Sequence, residues 1–302
     1  EDVIDQLIST GEATHSIQGG VLKTGVNALP DLYKDATDRN RTSPFAFTGN
    51  KFEFRMVGSS DSVASPNTVL NTIAAEAFKE AADELEKAED FDMAVHDMIK
   101  RLFAGHRRII FNGNGYSEAW VEEAERRGLP NIKSMVEAIP ALATEKAVKL
   151  FEGFNVFTRA ELESRVEIQY EAYEKAINIE ARTMVDMASK QIIPAVIKYN
   201  TSLAKSINEI KSACPDVDVS VQTELLTECS RYLADMKSAL AKLIREADEA
   251  SAIQVASERA KAYRDKVVPV MEELRAPADK LEMLVDKSMW PFPSYGDLIF
   301  EV

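Results

Sequence analysis

The sequence predicts an α+β protein in which a few antiparallel strands come first and a mainly α-helical bundle follows. Two patterns support this fold class: an alternating segment with a glycine turn before residue 57, and helical periodicity that runs almost without interruption from residue 158 to about 287. The 302 residues are enough for one large domain or two moderate ones. Apolar residues make up 45% of the chain, so we expect packed cores rather than disorder.

The amino-terminal residues predict a short helix followed by a glycine-rich link. Apolar side chains at positions 3, 4, 7 and 8 give the helical spacing, and Gly19-Gly20 marks the link. Residues 1–5 show neither the basic nor the apolar region of a signal peptide, and no initiator Met is present. These features favour a fragment or a processed chain.

Residues 31–57 predict two strands around a glycine-containing turn, and the second strand carries the most informative charges. Because strand side chains alternate between faces, Lys51, Glu53 and Arg55 share one face and the phenylalanines between them take the other. Same-face neighbours lie about 7 Å apart, which sets an acid between two bases. That arrangement suits a divalent metal held beside anionic substrates. An ordinary amphipathic strand with a solvated charged face would show the same alternation.

Two helices are predicted after the strands. The first should start after Pro66, with Asn67 as its cap, and run toward Glu89 along an apolar stripe. A second stripe follows between residues 93 and 102. The sequence Gly113-Asn-Gly115 then predicts a turn, and a subunit contact is the main alternative. A phosphate loop is a weaker alternative, because the third glycine and a following Lys-Ser/Thr are missing.

The second half of the chain predicts a bundle. Thr158 and Glu161 have the spacing of a capping box and should open a long helix. Later helices are punctuated by Pro194, residues 214–218 and Pro269. Their apolar stripes must be buried against one another, so we expect two to four packed antiparallel helices.

Composition excludes several classes of function. A formal net charge of −14 argues against a nucleic-acid surface and against binding to anionic membranes. Apolar runs are too short to span a bilayer. Cys214 and Cys229 lack the spacing of a zinc site or a disulfide framework, which favours two idle thiols in a reducing cytoplasm. The three scattered histidines are interpreted as structural or surface residues.

Residues 40–55, Asn-Arg-Thr-Ser-Pro-Phe-Ala-Phe-Thr-Gly-Asn-Lys-Phe-Glu-Phe-Arg, closely resemble the signature near the end of the catalytic barrel in type III glutamine synthetases. The resemblance continues through Gly58–Ser60 and Pro66–Ile73 and reappears in Trp290–Phe300, so it covers nearly the whole chain. It implies that residues 1–182 are the carboxyl-terminal half of a synthetase catalytic domain. Residues 183–302 would then be a helical extension with an aromatic tail that folds back onto the protein.

The resemblance also implies an activity: ATP-dependent ligation of ammonia to L-glutamate through a glutamyl phosphate, with Mg²⁺ or Mn²⁺. Phosphoryl transfer requires divalent metals and arginines that neutralise developing charge. By motif, Glu53 takes the position of a metal-binding glutamate and Arg55 that of a residue that binds the substrate glutamate. Arg41 resembles the catalytic arginine that contacts the transferred phosphate and the bound glutamate. Lys51 takes the position of a basic residue that lies near the nucleotide phosphate in relatives.

The sequence departs from the family in two ways. The arginine and lysine with which type I enzymes hold ATP fall on Ala46 and Thr48, and Arg39 is a possible substitute or a plain surface residue. The amino-terminal β domain, an early pair of metal-binding glutamates, a His-rich strand and a flap glutamate have no recognisable counterpart. We therefore expect the complete protein to be catalytic and this chain alone to be inactive.

Assembly and location are also implied by the resemblance. It indicates a cytoplasmic homo-oligomer, a dodecamer of two stacked hexamers with active sites between neighbouring subunits. Neither nucleic acid nor membrane is an expected partner. The alternative is a non-catalytic helical scaffold or oligomerisation protein that keeps a synthetase remnant.

Overall fold

The computed structural model describes residues 2–15, 21–22, 32–33, 45–47, 52–54, 62–111, 115, 117–293 and 295–300. Within these residues the protein is mostly helical, with four short strands that form two separate antiparallel ribbons. The strands are β1 (Val21–Leu22), β2 (Leu32–Tyr33), β3 (Phe45–Phe47) and β4 (Phe52–Phe54). A mostly helical chain with a few antiparallel strands is what the sequence predicts.

Twelve α-helices lie in the described part of the chain: α1 (Asp2–Thr10), α2 (Ala64–Leu85), α3 (Phe91–His106), α4 (Glu118–Arg126), α5 (Met135–Ala138), α6 (Glu145–Gly153), α7 (Arg159–Met187), α8 (Ile193–Ala213), α9 (Ser220–Ser251), α10 (Ala256–Ala262), α11 (Val268–Leu284) and α12 (Tyr295–Phe300). Short 3₁₀ segments occupy Arg107–Ile109 and Ile139–Ala143, and π-helical segments occupy Ala188–Ile192 and Tyr263–Val267.

The chain forms two compact units. Unit 1 comprises Glu1–Lys133 and Lys149–Val156, and unit 2 comprises Ser134–Val148 and Phe157–Val302. Residue 182, the predicted end of the catalytic-domain part, lies inside α7. Where a synthetase catalytic domain ends within this chain stays a prediction, because compact units and functional domains need not coincide.

In unit 1, helix α2 begins earlier than predicted. Its first residue is Ala64, and the Asn67 amide donates to the Val63 carbonyl at 3.1 Å, so the prediction of Asn67 as the cap is wrong. The Ser62 hydroxyl instead accepts from the Ala64 amide at 3.2 Å. Pro66 is tolerated because the first four amides of a helix have no partner within the helix.

In unit 2, helix α7 begins with the predicted capping box. The Thr158 hydroxyl accepts from the Glu161 amide at 3.4 Å, and the Glu161 carboxylate accepts from the Thr158 amide at 2.8 Å. Leu162 and Tyr170, two members of the predicted apolar stripe, are buried along this helix. The capping box and apolar stripe predicted from the sequence therefore agree with the observed start and buried face of α7.

Pro194 and Pro269, which were predicted to interrupt the helices, do not end them. Each is preceded by a π-helical turn, and the helical chain continues through it. Pro194 has no amide to donate to the residue four positions before it, and its ring would collide with that carbonyl in a regular α-helix. The π-helical turn Ala188–Ile192 ends two residues before it and relieves the collision. Tyr263–Val267 comes before Pro269 in the same way. As a result α7 continues into α8, and α10 into α11.

Three long helical rods, 159–213, 220–251 and 256–284, pack into the predicted bundle. Their short connections at residues 214–219 and 252–255 make successive rods antiparallel. The core lies between them, and its fully buried side chains include Met236, Leu240, Leu243, Tyr263, Val267 and Leu274. Trp290 and Phe292 pack against this core, whereas Phe300 at the end of the tail is 81% exposed. The prediction that the aromatic tail folds back onto the protein therefore holds for its first part.

One buried ion pair links α7 to α10. The Arg259 Nε donates to the Glu174 carboxylate, whose side chain is 9% exposed. Arg259 also donates to the carbonyl oxygens of Ile253 and Gln254, at 2.8 and 3.2 Å. The hydrogen bond that Arg259 donates to Glu174 raises the pKa of Arg259. The guanidinium thus ties the loop after α9 to the first rod.

Candidate active-site strand

The segment that carries the predicted site folds as an antiparallel ribbon. β3 pairs with β4 in the register Phe45 to Phe54, Ala46 to Glu53 and Phe47 to Phe52. The predicted pair of strands is therefore confirmed at these residues. The register sets the candidate metal ligand Glu53 opposite a small alanine.

Exposure along β4 does not match an ordinary amphipathic strand. Glu53 is partly buried, whereas the neighbouring Phe52 is 62% exposed. A strand with a solvated charged face would expose the acid and bury the phenylalanine. The described part of this strand therefore favours a role for the Glu53 carboxylate other than solubility.

The other candidates lie outside the described residues. These are Arg41, Lys51 and Arg55, so the structure places one of the four predicted site residues, and their convergence stays a prediction. Within the described residues, no group of three or more His, Cys, Asp and Glu side chains could hold a metal ion. Glu53 fits Mg²⁺ or Mn²⁺ chemically because these ions prefer oxygen ligands. One carboxylate is an incomplete ligand set, so the remaining ligands must come from elsewhere.

All three histidines belong to unit 1. His96 Nε2 lies 3.0 Å from the Gly11 carbonyl oxygen, which joins α3 to the end of α1. His15 Nδ1 lies 3.1 Å from the Thr14 hydroxyl. His106 is exposed at the last residue of α3. These contacts agree with the structural and surface interpretation of the three side chains.

Aromatic side chains pack together on either side of the predicted glycine turn. Gly115 lies in a turn, and residues 112–114 are outside the described part of the chain. Phe111 stacks on Trp120 with ring centroids 3.8 Å apart. The Arg127 guanidinium lies 5.6 Å from the Trp120 ring and donates to the Ile110 carbonyl at 2.8 Å. The predicted turn is observed at Gly115, and the rest of that interpretation stays a prediction.

Sequence reasoning missed a cluster of arginines in unit 1. Arg107 and Arg108 follow α3, Arg126 is the last residue of α4 and Arg127 comes next, yet all four line one cavity. The signal was available as two Arg-Arg pairs in the sequence. Gly128, with φ of 68°, adopts the left-handed conformation that closes α4. That turn helps to hold the second pair in place.

No helix among the described residues is long and apolar enough to cross a membrane.

Residues 94–211, from α3 to α8, match the family described as the glutamine synthetase C-terminal domain. The chain is 40% identical over 289 residues to the type-3 glutamine synthetase of Dictyostelium discoideum, a match that covers 91% of this chain. The resemblance to type III glutamine synthetases is confirmed. Glutamine synthetases of Butyrivibrio fibrisolvens and Bacteroides fragilis (strain YCH46) are 36% and 35% identical over 89% and 92% of this chain.

The chain spans 38% of the length of the Dictyostelium synthetase and 39% of each bacterial one. Most of the length of these synthetases therefore has no aligned counterpart here. The matched domain extends on both sides of residue 182 and includes residues of both compact units.

Proposed function

We propose that this chain is part of a glutamine synthetase, an ATP- and metal-dependent glutamate–ammonia ligase that forms glutamine through a glutamyl phosphate. The observation that carries the proposal is 40% identity to a type-3 synthetase over 91% of the chain. The substrates of the complete protein would be L-glutamate, ammonia and ATP. Alone, the chain would be inactive, because Glu53 supplies one metal ligand of a site that needs several.

Glu53 is the residue that would hold the metal. Its partly buried position in β4 limits competition from water, and the ribbon fixes the backbone from which the carboxylate projects. When bound, Mg²⁺ or Mn²⁺ would neutralise charge on the phosphate oxygens. The contribution of Glu53 is to anchor that charge at a fixed point.

The three cationic candidates would handle the anionic reactants. Arg41 would neutralise the transferred phosphate and contact the bound glutamate, and Arg55 would bind the carboxylate of the substrate glutamate. A guanidinium suits both tasks because its planar fork donates two parallel hydrogen bonds. Lys51 would lie near the nucleotide phosphate as a point charge.

The larger architecture is part of the same proposal. β3 and β4 would belong to the end of a catalytic barrel within residues 1–182, and residues 183–302 would serve assembly. The complete protein would be a cytoplasmic dodecamer of two stacked hexamers. Among the described residues of this extension no group of three or more His, Cys, Asp and Glu side chains could hold a metal ion, which favours a role for it outside the metal chemistry.

The test is glutamine production by the complete protein from glutamate, ammonia and ATP. Glu53→Ala should lower the rate at least about 100-fold, because the loss of a metal ligand removes charge stabilisation from the transition state. Glu167→Ala is the matched control, since Glu167 is exposed on α7. A Glu53→Ala protein with full activity would refute the metal assignment.

The second candidate is a non-catalytic scaffold that keeps a synthetase remnant. The packed bundle of unit 2, which has a hydrophobic core of its own, favours it. A complete protein that assembles but makes no glutamine with either metal would support the scaffold. Sustained turnover would exclude it.

A further inference from the structure

We propose that unit 1 contains a binding site for a small polyanion, a molecule with two or more phosphate or carboxylate groups. The site is a cavity of about 490 Å³ lined by Arg107, Arg108, Arg126 and Arg127. This volume is within the range of small-molecule sites. The inference uses none of the residues proposed for synthetase chemistry.

The cavity is locally positive on an acidic chain. Its lining contains four arginines against two carboxylates, those of Asp5 and Glu123, which leaves two positive charges. The whole chain carries −14. A concave positive region attracts anions because its low-dielectric walls focus the field.

Arg127 forms a fixed wall of the cavity. Its Nη1 donates to the carbonyl oxygens of Ile110 at 2.8 Å and Arg108 at 3.3 Å, and its Nε donates to Glu123. The guanidinium also lies over the Trp120 ring. With most donors already engaged, Arg127 positions the backbone and the Glu123 carboxylate and is not itself expected to reach far into the cavity.

Glu123 is held between two guanidinium groups. Hydrogen bonds from Arg127 and then Arg126 lower the pKa of its carboxyl, so it stays ionised at neutral pH. Arg126 donates to it through Nε and Nη2, both at 2.7 Å. The single Glu123 carboxylate neutralises only part of the charge of Arg126 and Arg127, so the three side chains together keep a net positive charge.

Arg107 and Arg126 are the arginines best placed to contact a ligand. Their side chains are 61% and 74% exposed, and Arg107 pairs with Asp5 at 2.6 Å. Exposed ion pairs contribute little stability, so these guanidinium groups can turn toward an incoming oxyanion at small cost. The planar fork of arginine matches phosphate and carboxylate oxygens equally well.

The lining of the cavity also includes apolar side chains, among them Ile8 and Phe103. A ligand with a compact organic body would contact these apolar side chains as well as the arginines. The strongly acidic chain is unsuited to a long nucleic acid, because tracking phosphates requires an extended basic surface. A small molecule with two anionic ends is the class that the lining favours.

The experiment is isothermal titration of the 302-residue chain with inorganic pyrophosphate and, separately, with citrate, at about 50 mM salt, where screening is weak. The two arms distinguish a phosphate from a carboxylate ligand. Arg107→Ala/Arg126→Ala is the test variant, and Arg245→Ala, an exposed arginine of α9, is the matched control. In a Trp290→Phe background, Trp120 is the only tryptophan left of two and reports locally.

We expect saturable binding of at least one probe with a change in Trp120 fluorescence. Arg107→Ala/Arg126→Ala should weaken it at least about tenfold, since each charged hydrogen bond contributes roughly that factor. Arg245→Ala should bind as the unaltered chain does. Absence of binding in both arms would overturn the proposal, as would equal weakening in the control. A single-residue Arg126→Lys protein checks folding and should keep partial affinity because the charge remains.

Discussion

The helical bundle and the α2–α3 pair have similar apolar periodicity but opposite burial. In the bundle, Leu240 and Leu243 are 1% and 0% exposed. On α2 and α3, Phe78 is 77% exposed and Phe91 is 60% exposed. An amphipathic stripe therefore indicates which face of a helix can pack against another element. The side chains of that face are buried only where such an element is present.

Unit 2 thus contains its own core, whereas the described helices α2 and α3 leave apolar faces uncovered. Exposed apolar surface of this kind is typical of contact sites. In the proposed synthetase, other parts of the complete protein would cover these faces. Separating the two units should show this contrast most directly.

The largest expected effect comes from expressing residues 134–302 and residues 1–133 as separate fragments. The first should retain helical circular dichroism and unfold in one cooperative transition, because the three rods bury their stripes against each other. The second should bind a hydrophobic dye and unfold without a sharp transition. A cooperative 1–133 fragment, or a bundle that collapses alone, would reverse the comparison.

A matched pair of substitutions quantifies the same contrast. Leu243→Ala should cost about 3 kcal/mol in the free energy of unfolding, because it leaves a cavity in a closed core. Phe78→Ala should change that free energy by less than about 0.5 kcal/mol, because the ring is already in solvent. Urea denaturation of the 302-residue chain measures both. Equal effects would show that α2 has a core of its own.

The ion pair inside the bundle should matter more than one on its surface. Arg259→Met should cost about 3 kcal/mol, because it leaves Glu174 as a buried charge without its main partner. Lys242→Met is the control: Lys242 pairs with Glu273 at 2.7 Å but is 41% exposed, so the cost should stay below about 1 kcal/mol.

Replacing both buried partners sharpens this test. Glu174→Met/Arg259→Met should recover much of the stability lost by Arg259→Met alone, since no uncompensated charge remains. If the double replacement is as unstable as the single one, the loss comes from packing and from the carbonyl hydrogen bonds of Arg259. Denaturant midpoints at a single pH measure the difference.

The smallest effect is a pH dependence at the start of α7. Hydrogen bonds from the Thr158 amide and then its hydroxyl lower the pKa of Glu161 below its ordinary value of 4.5. The stabilisation is therefore fully present above about pH 4.5 and is lost as the pH falls through the lower folded-state pKa. Glu161→Gln should flatten the acid side of a stability curve. An unchanged slope would show that the capping carboxylate does not titrate with folding.

Much of the fold could be predicted from local sequence. The capping box at Thr158 and the apolar stripes of α9 and α11 predicted the bundle correctly. This was possible because helical spacing determines both where a helix forms and which of its side chains pack against its neighbours. The effect of Pro194 and Pro269 could not be predicted, since a π turn accommodates a proline that otherwise ends a helix. The start of α2 was missed because a serine hydroxyl upstream of the proline binds the first amide.

The candidate site was less predictable from geometry. Alternation in β4 indicated a charged face around Glu53, but only the resemblance gave that carboxylate a chemical role. The reversed exposure of Phe52 and Glu53 depends on tertiary surroundings that spacing does not encode. The arginine cavity was missed for the same reason: two Arg-Arg pairs distant in sequence converge only once α3 and α4 are folded.

The most direct measurement is anomalous X-ray scattering from crystals of the complete protein grown with Mn²⁺. The account predicts a manganese peak bonded to the Glu53 carboxylate, with Lys51 and Arg55 on the same face of the strand. A peak bound by other residues while Glu53 points into bulk solvent would contradict it.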